Sequence, residues 1–386
     1  MALRNDRTLR LLFTSLFFWM FGIGLYEQLV PIYARQLGAS AVQLGTLFTV
    51  RHLALAGGFL IGWVVVDRWS HRAAIVTSWL AAVPVPLLLA AAPTYAWLVP
   101  GLLLYEVAYF GMPSMNAFVA RRVPASELVS TFGAMGTITS LGFLISPTVG
   151  GMIADRLGIR ATLIIAAAFY VISAILILRI RWDEGNAPAH GASRRLSLDQ
   201  MRGLMPVMWI FSGTILVVLI TVPFATPFLR EVRGLSLSQI GFLGSMVALG
   251  AVLLTPVAGR IGDRIGPITT LAGGLVVFAF GVLLTVYGPA TLLPVAAIFR
   301  CRSPLNTLGH ALVASKAPSA VLGRAFALAG ILMAILGAGG SFAGGYAYLV
   351  DPALPLLVSV GMSVLIAGAL IWWQSRAAAR SAPDST

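Results

Sequence analysis

Five ionisable side chains interrupt the longest apolar stretches of this sequence. Glu27, Arg51 and Glu106 lie in its first third, and Arg300 and Arg302 lie in the segment FRCRSPLN of its last quarter. A charged side chain in hydrocarbon is costly unless it is paired or reaches water, so residues of this kind mark pathways for ions or solutes. A carboxylate beside a guanidinium can exchange a proton, and a guanidinium can bind an acidic solute. We therefore predict proton coupling at the two glutamates and solute binding at the three arginines.

The composition indicates which elements must position these groups. Of the 386 residues, 59% are hydrophobic and 10% are charged, and the mean hydropathy is +0.92. Soluble domains carry about 25% charged residues, so an integral membrane protein is predicted. Apolar stretches long enough to cross a ~30 Å hydrocarbon layer as helices recur along the chain, without the short alternating segments of barrels. The predicted fold class is an all-α membrane protein with twelve transmembrane helices. They are placed at 9–34, 40–66, 72–92, 96–120, 128–153, 160–180, 204–229, 236–258, 267–287, 291–314, 323–346 and 354–374.

The basic residues indicate the orientation of these spans. With twelve spans both termini lie on one side, which holds 18 of the 26 Lys and Arg residues, whereas the other side holds five. Basic residues are enriched in cytoplasmic loops, which predicts cytoplasmic termini and a location in the inner (cytoplasmic) membrane of the cell. The net charge of +13 is then explained by topology, and nucleic acid is not expected as a partner.

An internal duplication divides the chain. The polar segment at 181–203 is predicted to be a cytoplasmic linker between an N-terminal six-helix bundle at 1–180 and a C-terminal six-helix bundle at 204–386. VVVDRWSHR after the second span corresponds to RIGDRIGP after the eighth, and their aspartates, Asp67 and Asp263, are 196 positions apart. Two related halves of six spans are typical of secondary transporters that bind solute near the bilayer midplane.

The charged residues fall in one layer of the predicted bundle. Counted from the ends of their helices at ~1.5 Å per residue, Glu27, Arg51, Glu106 and Arg300 lie near the midplane or slightly outside it. Glu27 with Arg51, and Glu106 with Arg300, are therefore allowed ion pairs, and the sequence does not select among pairings. A purely structural Glu–Arg pair is the competing interpretation.

The two arginines of the tenth predicted span point in different directions. They are two residues apart, about 200° around a helix, so they cannot both face one cavity. Arg302, Asn306 and His310 have the spacing i, i+4 and i+8 and form a polar stripe, which favours Arg302 and adds Asn306 to the predicted solute site. Arg300 corresponds to Glu106 in the repeat, which favours Arg300 instead. The sequence leaves both alternatives open.

Loop motifs after the second and eighth predicted spans resemble those of a known family. At these loops the Major Facilitator Superfamily carries the motif Gly-x-x-x-Asp-Arg-x-Gly followed by basic residues, where x is any residue. The second copy here matches this pattern through Gly259, Asp263, Arg264 and Gly266, with Pro267 in place of a basic residue. The segment GMIADRLGIR, between the fifth and sixth spans, resembles the same motif again.

The first copy keeps the charges of the motif but departs from its glycines. Gly62 is one position early, and Ser70 and His71 replace the second Gly and the first basic residue. The resemblance implies two pseudo-symmetric six-helix bundles, transport by alternating access, and a cytoplasmic gate formed by the motif charges. The gate residues are Asp67, Arg68, Arg72, Asp263 and Arg264.

A second resemblance lies in the fifth predicted span. GFLISPTVGG is similar to the Gly-Pro-x-x-Gly-Gly signature of the drug:proton antiporter branch, with Ser146 in place of its usual Gly. Small residues allow close helix packing, and the proline leaves one carbonyl without its donor and bends the helix. The predicted helix-packing motif consists of Gly142, Pro147, Gly150 and Gly151. This resemblance favours export over uptake.

The leading functional hypothesis is a secondary active transporter that exports a small organic solute in exchange for protons. The alternative is uptake or exchange of an anionic metabolite bound by the intramembrane arginines. An enzyme is not expected, since the sequence lacks HExxH, nucleophile-elbow, P-loop and cysteine–histidine metal spacings. A receptor is disfavoured because no soluble domain is predicted. We expect no cofactor and no metal, a monomeric protein, and as partners a small-molecule substrate, protons and the lipid bilayer.

Overall fold

The computed structural model describes residues 6–124, 127–182, 198–318 and 322–381. Regular structure within these ranges is helical, with sixteen α-helices and no strand. The predicted linker at 181–203 lies mostly outside the described residues. The helices are α1 Arg7–Tyr26, α2 Val30–Gln36, α3 Ala41–Arg68, α4 His71–Ala82, α5 Val85–Ala90, α6 Leu98–Ala108, α7 Gly111–Arg122, α8 Leu128–Leu157, α9 Ile159–Leu178, α10 Leu198–Glu231, α11 Leu237–Ile265, α12 Pro267–Tyr287, α13 Leu293–Phe299, α14 Ser303–Lys316, α15 Leu322–Val350 and α16 Leu354–Ser381.

Most of the predicted spans are single long helical segments. Ten segments of the described ranges are long and apolar enough to cross a membrane. The fourth and tenth spans, predicted as continuous helices at 96–120 and 291–314, are instead each built from two α-helices, α6 with α7 and α13 with α14. With these two broken spans, the described part of the chain accounts for the twelve predicted crossings.

Proline explains where spans break. The first, fourth and tenth spans are each interrupted by a short segment that is not α-helical, and a proline lies in the first turn of the helix that follows. The breaks lie at Glu27–Leu29, at 109–110 and at 300–302. The prolines are Pro31 in α2, Pro113 in α7 and Pro304 in α14. Proline has no N–H and fits the first turn of a helix but not its interior, so each of these residues favours a new helix start.

The structure repeats itself where the sequence predicts a duplication. α3 and α11 begin 196 positions apart, and each is preceded by the same capping box. Ser40 Oγ accepts a hydrogen bond from the Gln43 N–H, and the Gln43 side chain accepts one from the Ser40 N–H. Ser236 and Gln239 exchange the same two bonds. Such a pair satisfies two free N–H groups at a helix start, so both repeats begin this helix in the same way.

The described residues group into two compact units. Unit 1 contains the residues up to 182 together with Thr226–Ser245, and unit 2 contains 198–225 together with the residues from Met246 onwards. The segment Thr226–Ser245, which holds the end of α10 and the start of α11, thus packs within unit 1. The six-helix bundle boundaries at 1–180 and 204–386 stay a prediction.

A buried polar network holds three helices of unit 1 together. The Trp79 Nε1–H of α4 donates to Ser15 Oγ of α1 and to Ser173 Oγ of α9, over 2.9 and 3.0 Å. Trp19 of α1 packs on Trp79, with ring centroids 4.5 Å apart. Buried polar groups need partners, so this network specifies how α1, α4 and α9 pack.

In unit 2, α12 packs against α16 and against the broken span formed by α13 and α14. Gly281 of α12 lies so close to α13 that an added Cβ would be 2.8 Å from Phe299 Cβ. The Thr269 Oγ1–H donates to Gln374 Oε1 over 2.7 Å and ties α12 to α16. These contacts hold the end of α13, and the arginine that follows it, against α12.

Candidate functional site

Three charged residues from three spans of unit 1 meet at one point, and we call them the triad. The Arg51 Nη2–H donates to Glu27 Oε1 over 2.8 Å, and the Arg51 Nε–H donates to Glu106 Oε1 over 2.5 Å. The Glu106 side chain is 8% exposed and the Glu27 side chain is 26% exposed. The Glu27–Arg51 pair that the sequence allowed is thus present. The Glu106–Arg300 pair that it also allowed is not among the ion pairs of the described residues, and Glu106 is bonded to Arg51. One guanidinium serves two carboxylates.

Local backbone features position the triad. Glu27 begins the 3₁₀ turn between α1 and α2, where the first span breaks. Arg51 lies within α3, and its Cζ is 5.6 Å from the centre of the Phe48 ring. α3 crosses close to α6 at Gly58, where an added Cβ would lie 2.6 Å from the Glu106 carbonyl oxygen. A side chain at Gly58 would push the helices apart, so this glycine brings Arg51 within reach of Glu106.

The triad lies beside buried tyrosine side chains. Tyr26 and Tyr105, which directly precede the two glutamates, are buried, and Tyr26 Oη lies 3.2 Å from Tyr170 Oη. With both carboxylates ionised the triad carries a net charge of −1, and a single proton makes it neutral. An uncompensated charge is unfavourable at low polarity unless a partner balances it. Among the described residues, no group of three His, Cys, Asp or Glu side chains lies close enough to hold a metal ion.

The two arginines at the break of the tenth span differ in environment. Arg300 follows α13 and is partly buried, and its buried Nη1 has no hydrogen-bond partner among the described residues. Arg302 directly precedes α14 and is exposed. Cys301 between them is buried, and its Sγ accepts a hydrogen bond from the Ser303 N–H over 3.4 Å. The two arginines thus differ in exposure, and which of them faces a solute stays a prediction.

The predicted stripe on α14 is present, and its histidine serves packing. Arg302, Asn306 and His310 are all exposed or partly exposed. His310 Nδ1 lies 2.7 Å from the Asn306 carbonyl oxygen, and its ring centroid is 4.8 Å from that of Phe211 and 5.3 Å from that of Phe326. Solute binding by Arg302 and Asn306 stays a prediction.

The motif charges of the predicted cytoplasmic gate lie near helix ends. The side chains of Arg68, Arg72, Asp263 and Arg264 are exposed, and none of them forms an ion pair with another residue that the structure describes. The side chain of Asp67 lies outside the described residues. The gate therefore stays a prediction.

The predicted helix-packing motif of α8 contacts two other helices. Gly142 and Gly150 face α1, and a Cβ added at Gly150 would overlap the Leu25 carbonyl oxygen. Gly151 faces the start of α11 in the same manner, and Pro147 lies inside α8. The motif thus places backbone against backbone, which is the packing that its small residues predict.

Two polar contacts that sequence reasoning missed join the segment between α10 and α11 to the rest of unit 1. The Arg35 Nε–H donates to Glu231 Oε1 over 2.7 Å, beside a cavity of about 500 Å³. These two residues are 196 positions apart, so they occupy equivalent positions in the two repeats, and this equivalence was the available sequence signal for the pair. Asp155, read from the sequence as part of a third loop motif, accepts from the Leu237 and Ser238 N–H groups over 2.9 and 2.7 Å. A carboxylate is favoured at such a helix N-terminus.

The start of α1 carries a further pair that the sequence did not predict. Asp6 accepts from the Thr8 and Leu9 N–H groups, and the Arg122 Nε–H donates to its Oδ2 over 2.5 Å. Burial raises the pKa of Asp6, but the hydrogen bonds from Arg122 and the backbone outweigh it and bring the pKa below its usual 3.8. Lys316, the repeat equivalent of Arg122 in unit 2, forms no ion pair with a residue in the described ranges.

A family profile matches nearly the whole chain. The Major Facilitator Superfamily profile matches residues 11–236 and again residues 207–385. The chain belongs to the Major Facilitator Superfamily. The resemblance inferred from the loop motifs is thereby confirmed.

Curated relatives carry the name of drug resistance proteins. Multidrug resistance protein MdtG of Citrobacter koseri is 29% identical over 266 residues, which is 64% of each chain. MdtG of Escherichia coli O1:K1 / APEC is 27% identical over 275 residues, which is 67% of this chain and 65% of that protein. The chain thus covers less than two thirds of the length of these relatives. They support the predicted resemblance to the drug:proton antiporter branch.

Solved structures confirm the fold. The nucleoside transporter NupG superposes with a TM-score of 0.77 at 17% identity, covering 95% of this chain and 98% of NupG. The POT family transporter PepTSo gives a TM-score of 0.77 at 11% identity, covering 96% of this chain and 98% of PepTSo. The predicted major facilitator fold of a multi-pass membrane protein is confirmed.

Proposed function

We propose that this protein is a secondary transporter that exports a small organic solute across the cytoplasmic membrane in exchange for protons. The observation that carries the proposal is the sharing of Arg51 by Glu27 and Glu106. A structural ion pair needs one carboxylate for one guanidinium, whereas the triad has one carboxylate in excess. That excess is a place to hold a proton inside a membrane-spanning unit.

The two carboxylates have different roles in this proposal. Glu106 is the more buried and makes the shorter bond to Arg51, so it stays ionised and holds the guanidinium. Glu27 is the more exposed and lies where the first span breaks, so it exchanges a proton with water. Protonation of Glu27 weakens its bond to Arg51 Nη2 and leaves that edge of the guanidinium without its charged partner.

Alternating access turns this exchange into transport. A proton on Glu27 and a solute at the binding site favour different conformations, so each drives release of the other on the opposite side of the membrane. The names of the MdtG relatives support export, and the excess of basic residues on the side of the termini supports a cytoplasmic location for both ends. We propose that the motif charges at 67–72 and 263–264 gate the cytoplasmic side, and that the monomer is the working unit.

Flux in proteoliposomes tests the proposal. The purified chain is reconstituted with ethidium, naphthalene-1-sulfonate or naphthalene-1-sulfonamide as probe, and a pH gradient is imposed. In the wild type we expect the solute to move in the direction opposite to the protons. In Glu27→Gln we expect flux that no longer responds to the pH gradient. In Glu106→Gln we expect loss of flux. Asp351→Asn, an exposed acid in the loop before α16, is the matched control and keeps the wild-type response. Flux that ignores the gradient and both glutamate substitutions would refute the coupling.

A second candidate function is uptake or exchange of an anionic metabolite. It is favoured by Arg300, whose buried Nη1 lacks a partner among the described residues. The direction of net flux in the same proteoliposomes separates this function from export.

A further inference from the structure

Arg300 is a guanidinium at membrane depth whose hydrogen-bonding capacity is unused. Its Nη1 is buried without an acceptor, and its side chain forms no ion pair with any residue of the described ranges. A guanidinium has five N–H donors, and a buried donor without an acceptor lowers stability. The position is therefore suited to an acceptor that the described chain does not supply.

No acidic side chain that the structure describes in unit 2 pairs with Arg300. These side chains are Asp263 and Asp351, which are exposed and form no ion pair within the described ranges. The position equivalent to Arg300 in the first half is Glu106, which has Arg51 as its partner. Arg300 thus has no carboxylate partner among the described residues, whereas its equivalent Glu106 is bonded to Arg51.

The helix start at the same break is also positive and lacks an oxygen cap. The N-cap position of α14 is held by Arg302, whose side chain makes no capping bond, and the Ser303 N–H is bonded to the Cys301 Sγ, a weak acceptor, over 3.4 Å. Ser, Thr, Asp or Asn is the usual residue at this position, because its oxygen satisfies a free N–H and opposes the positive end of the helix dipole. An arginine there strengthens the positive potential. Two features of the break favour an anion: a guanidinium without a partner among the described residues, and a helix start without an oxygen cap.

We propose that Arg300 binds the acidic group of the transported solute, so that this solute is an organic anion or zwitterion with a carboxylate, sulfonate or phosphonate group. The inference rests on the proposed function in assuming that the protein moves an organic solute, and it adds the class of that solute. Arg300 is thereby a specificity-determining residue, since a guanidinium forms paired hydrogen bonds with such groups and gains little from a neutral amide.

Stability without any solute gives the first test. A residue that serves a ligand and has no protein partner is replaced without loss of stability. Arg300→Met removes the unsatisfied donor, so we expect the Tm of the purified full chain in detergent to rise by about 2–4 °C. Arg260→Gln, which replaces an exposed arginine of α11, is the control and leaves the Tm unchanged. A Tm that falls in Arg300→Met would show that Arg300 has a structural partner and would overturn the proposal.

Binding of matched compounds gives the second test. Isothermal titration compares benzoate with benzamide, and naphthalene-1-sulfonate with naphthalene-1-sulfonamide. We expect the wild type to bind each anion about 10- to 100-fold more tightly than its amide, because charged hydrogen bonds exceed neutral ones by that factor. Arg300→Gln loses this preference, Arg300→Lys keeps part of it, and Arg260→Gln keeps all of it. The proposal fails if the wild type shows no preference for the anions, or if Arg300→Gln retains it.

The binding test is separate from the proton-coupling test. Titration in detergent involves no gradient, so an anion preference that depends on Arg300 stands even when flux in vesicles ignores the pH gradient. Conversely, proton-coupled flux without any anion preference leaves the proposed function intact and removes only the assignment of Arg300.

Discussion

Unit 1 and unit 2 hold the charged residues of their spans in different ways. In unit 1, Glu27, Arg51 and Glu106 are bonded to one another. In unit 2, Arg300 has no partner among the described residues, although it occupies the position that corresponds to Glu106. The helix start, the break in the span and the proline after the break are shared by both halves. The two units thus share these features while their charges differ.

The difference indicates a division of labour. Insertion of an arginine at mid-bilayer costs ~2.5–3.5 kcal/mol, so an unpaired one persists where function retains it. A bonded cluster with one carboxylate in excess suits proton exchange, and a guanidinium without a partner among the described residues suits an anionic solute. Under our proposals the two units therefore handle the two coupled species separately.

The largest expected effect comes from removing the shared cation of unit 1. Arg51→Gln leaves Glu27 and Glu106 without a counter-charge, and breaking a buried pair in this way costs about 3–5 kcal/mol. We expect a marked fall in Tm by differential scanning fluorimetry, in contrast to the rise expected for Arg300→Met. Arg51→Gln combined with Glu106→Gln recovers part of the loss. Equal stability of Arg51→Gln and Arg300→Met would remove the distinction between the units.

A smaller effect is expected from the packing glycines of the two repeats. Gly150 of α8 and Gly344 of α15 are 194 positions apart. A Cβ at Gly150 overlaps the backbone carbonyl of Leu25, whereas a Cβ at Gly344 would lie 2.6 Å from the Phe224 ring, which is a side chain and not backbone. We expect Gly150→Ala to cost about 1–3 kcal/mol in chemical denaturation and Gly344→Ala to cost less than Gly150→Ala.

The control for this pair is Gly339→Ala in α15, where an added Cβ meets nothing within 4 Å. That substitution leaves stability unchanged or raises it slightly, because alanine favours a helix. A greater loss in Gly344→Ala than in Gly150→Ala would show that unit 2 is the more tightly packed of the two.

The smallest effect concerns the charge pair at the start of α1 and its repeat equivalent in unit 2. The pKa of Asp6 is lowered, so its ionised form stabilises the fold above about pH 4, and this contribution disappears as the pH falls through the lowered pKa. We expect Asp6→Asn to lower the Tm slightly at pH 7, and this deficit to shrink as the pH falls below 3.8 and through the lowered pKa. Lys316→Gln in unit 2, which removes no ion pair to a described residue, gives the same Tm difference across this pH range. A pH-independent deficit in Asp6→Asn would contradict the role given to its charge.

The sequence predicted the features that depend on composition and spacing. Membrane class and the twelve crossings follow from the length and number of the apolar stretches, and the family resemblance follows from the recurring motifs. The sequence did not indicate which arginine pairs with Glu106. The close contact of α3 with α6 depends on Gly58, whose role can be seen only when both helices are placed. The breaks were also missed, since an apolar window reads straight through Pro113 and Pro304. The roles assigned to the gate and solute residues stay predictions.

Cys301 gives this molecule a built-in reporter. It is the only thiol of the chain, it is buried, and it directly follows Arg300 at the break of the tenth span. The rate of alkylation by a small maleimide therefore measures the exposure of one sulfur atom, and no cysteine-free variant is needed. This rate increases whenever the segment that holds Arg300 opens.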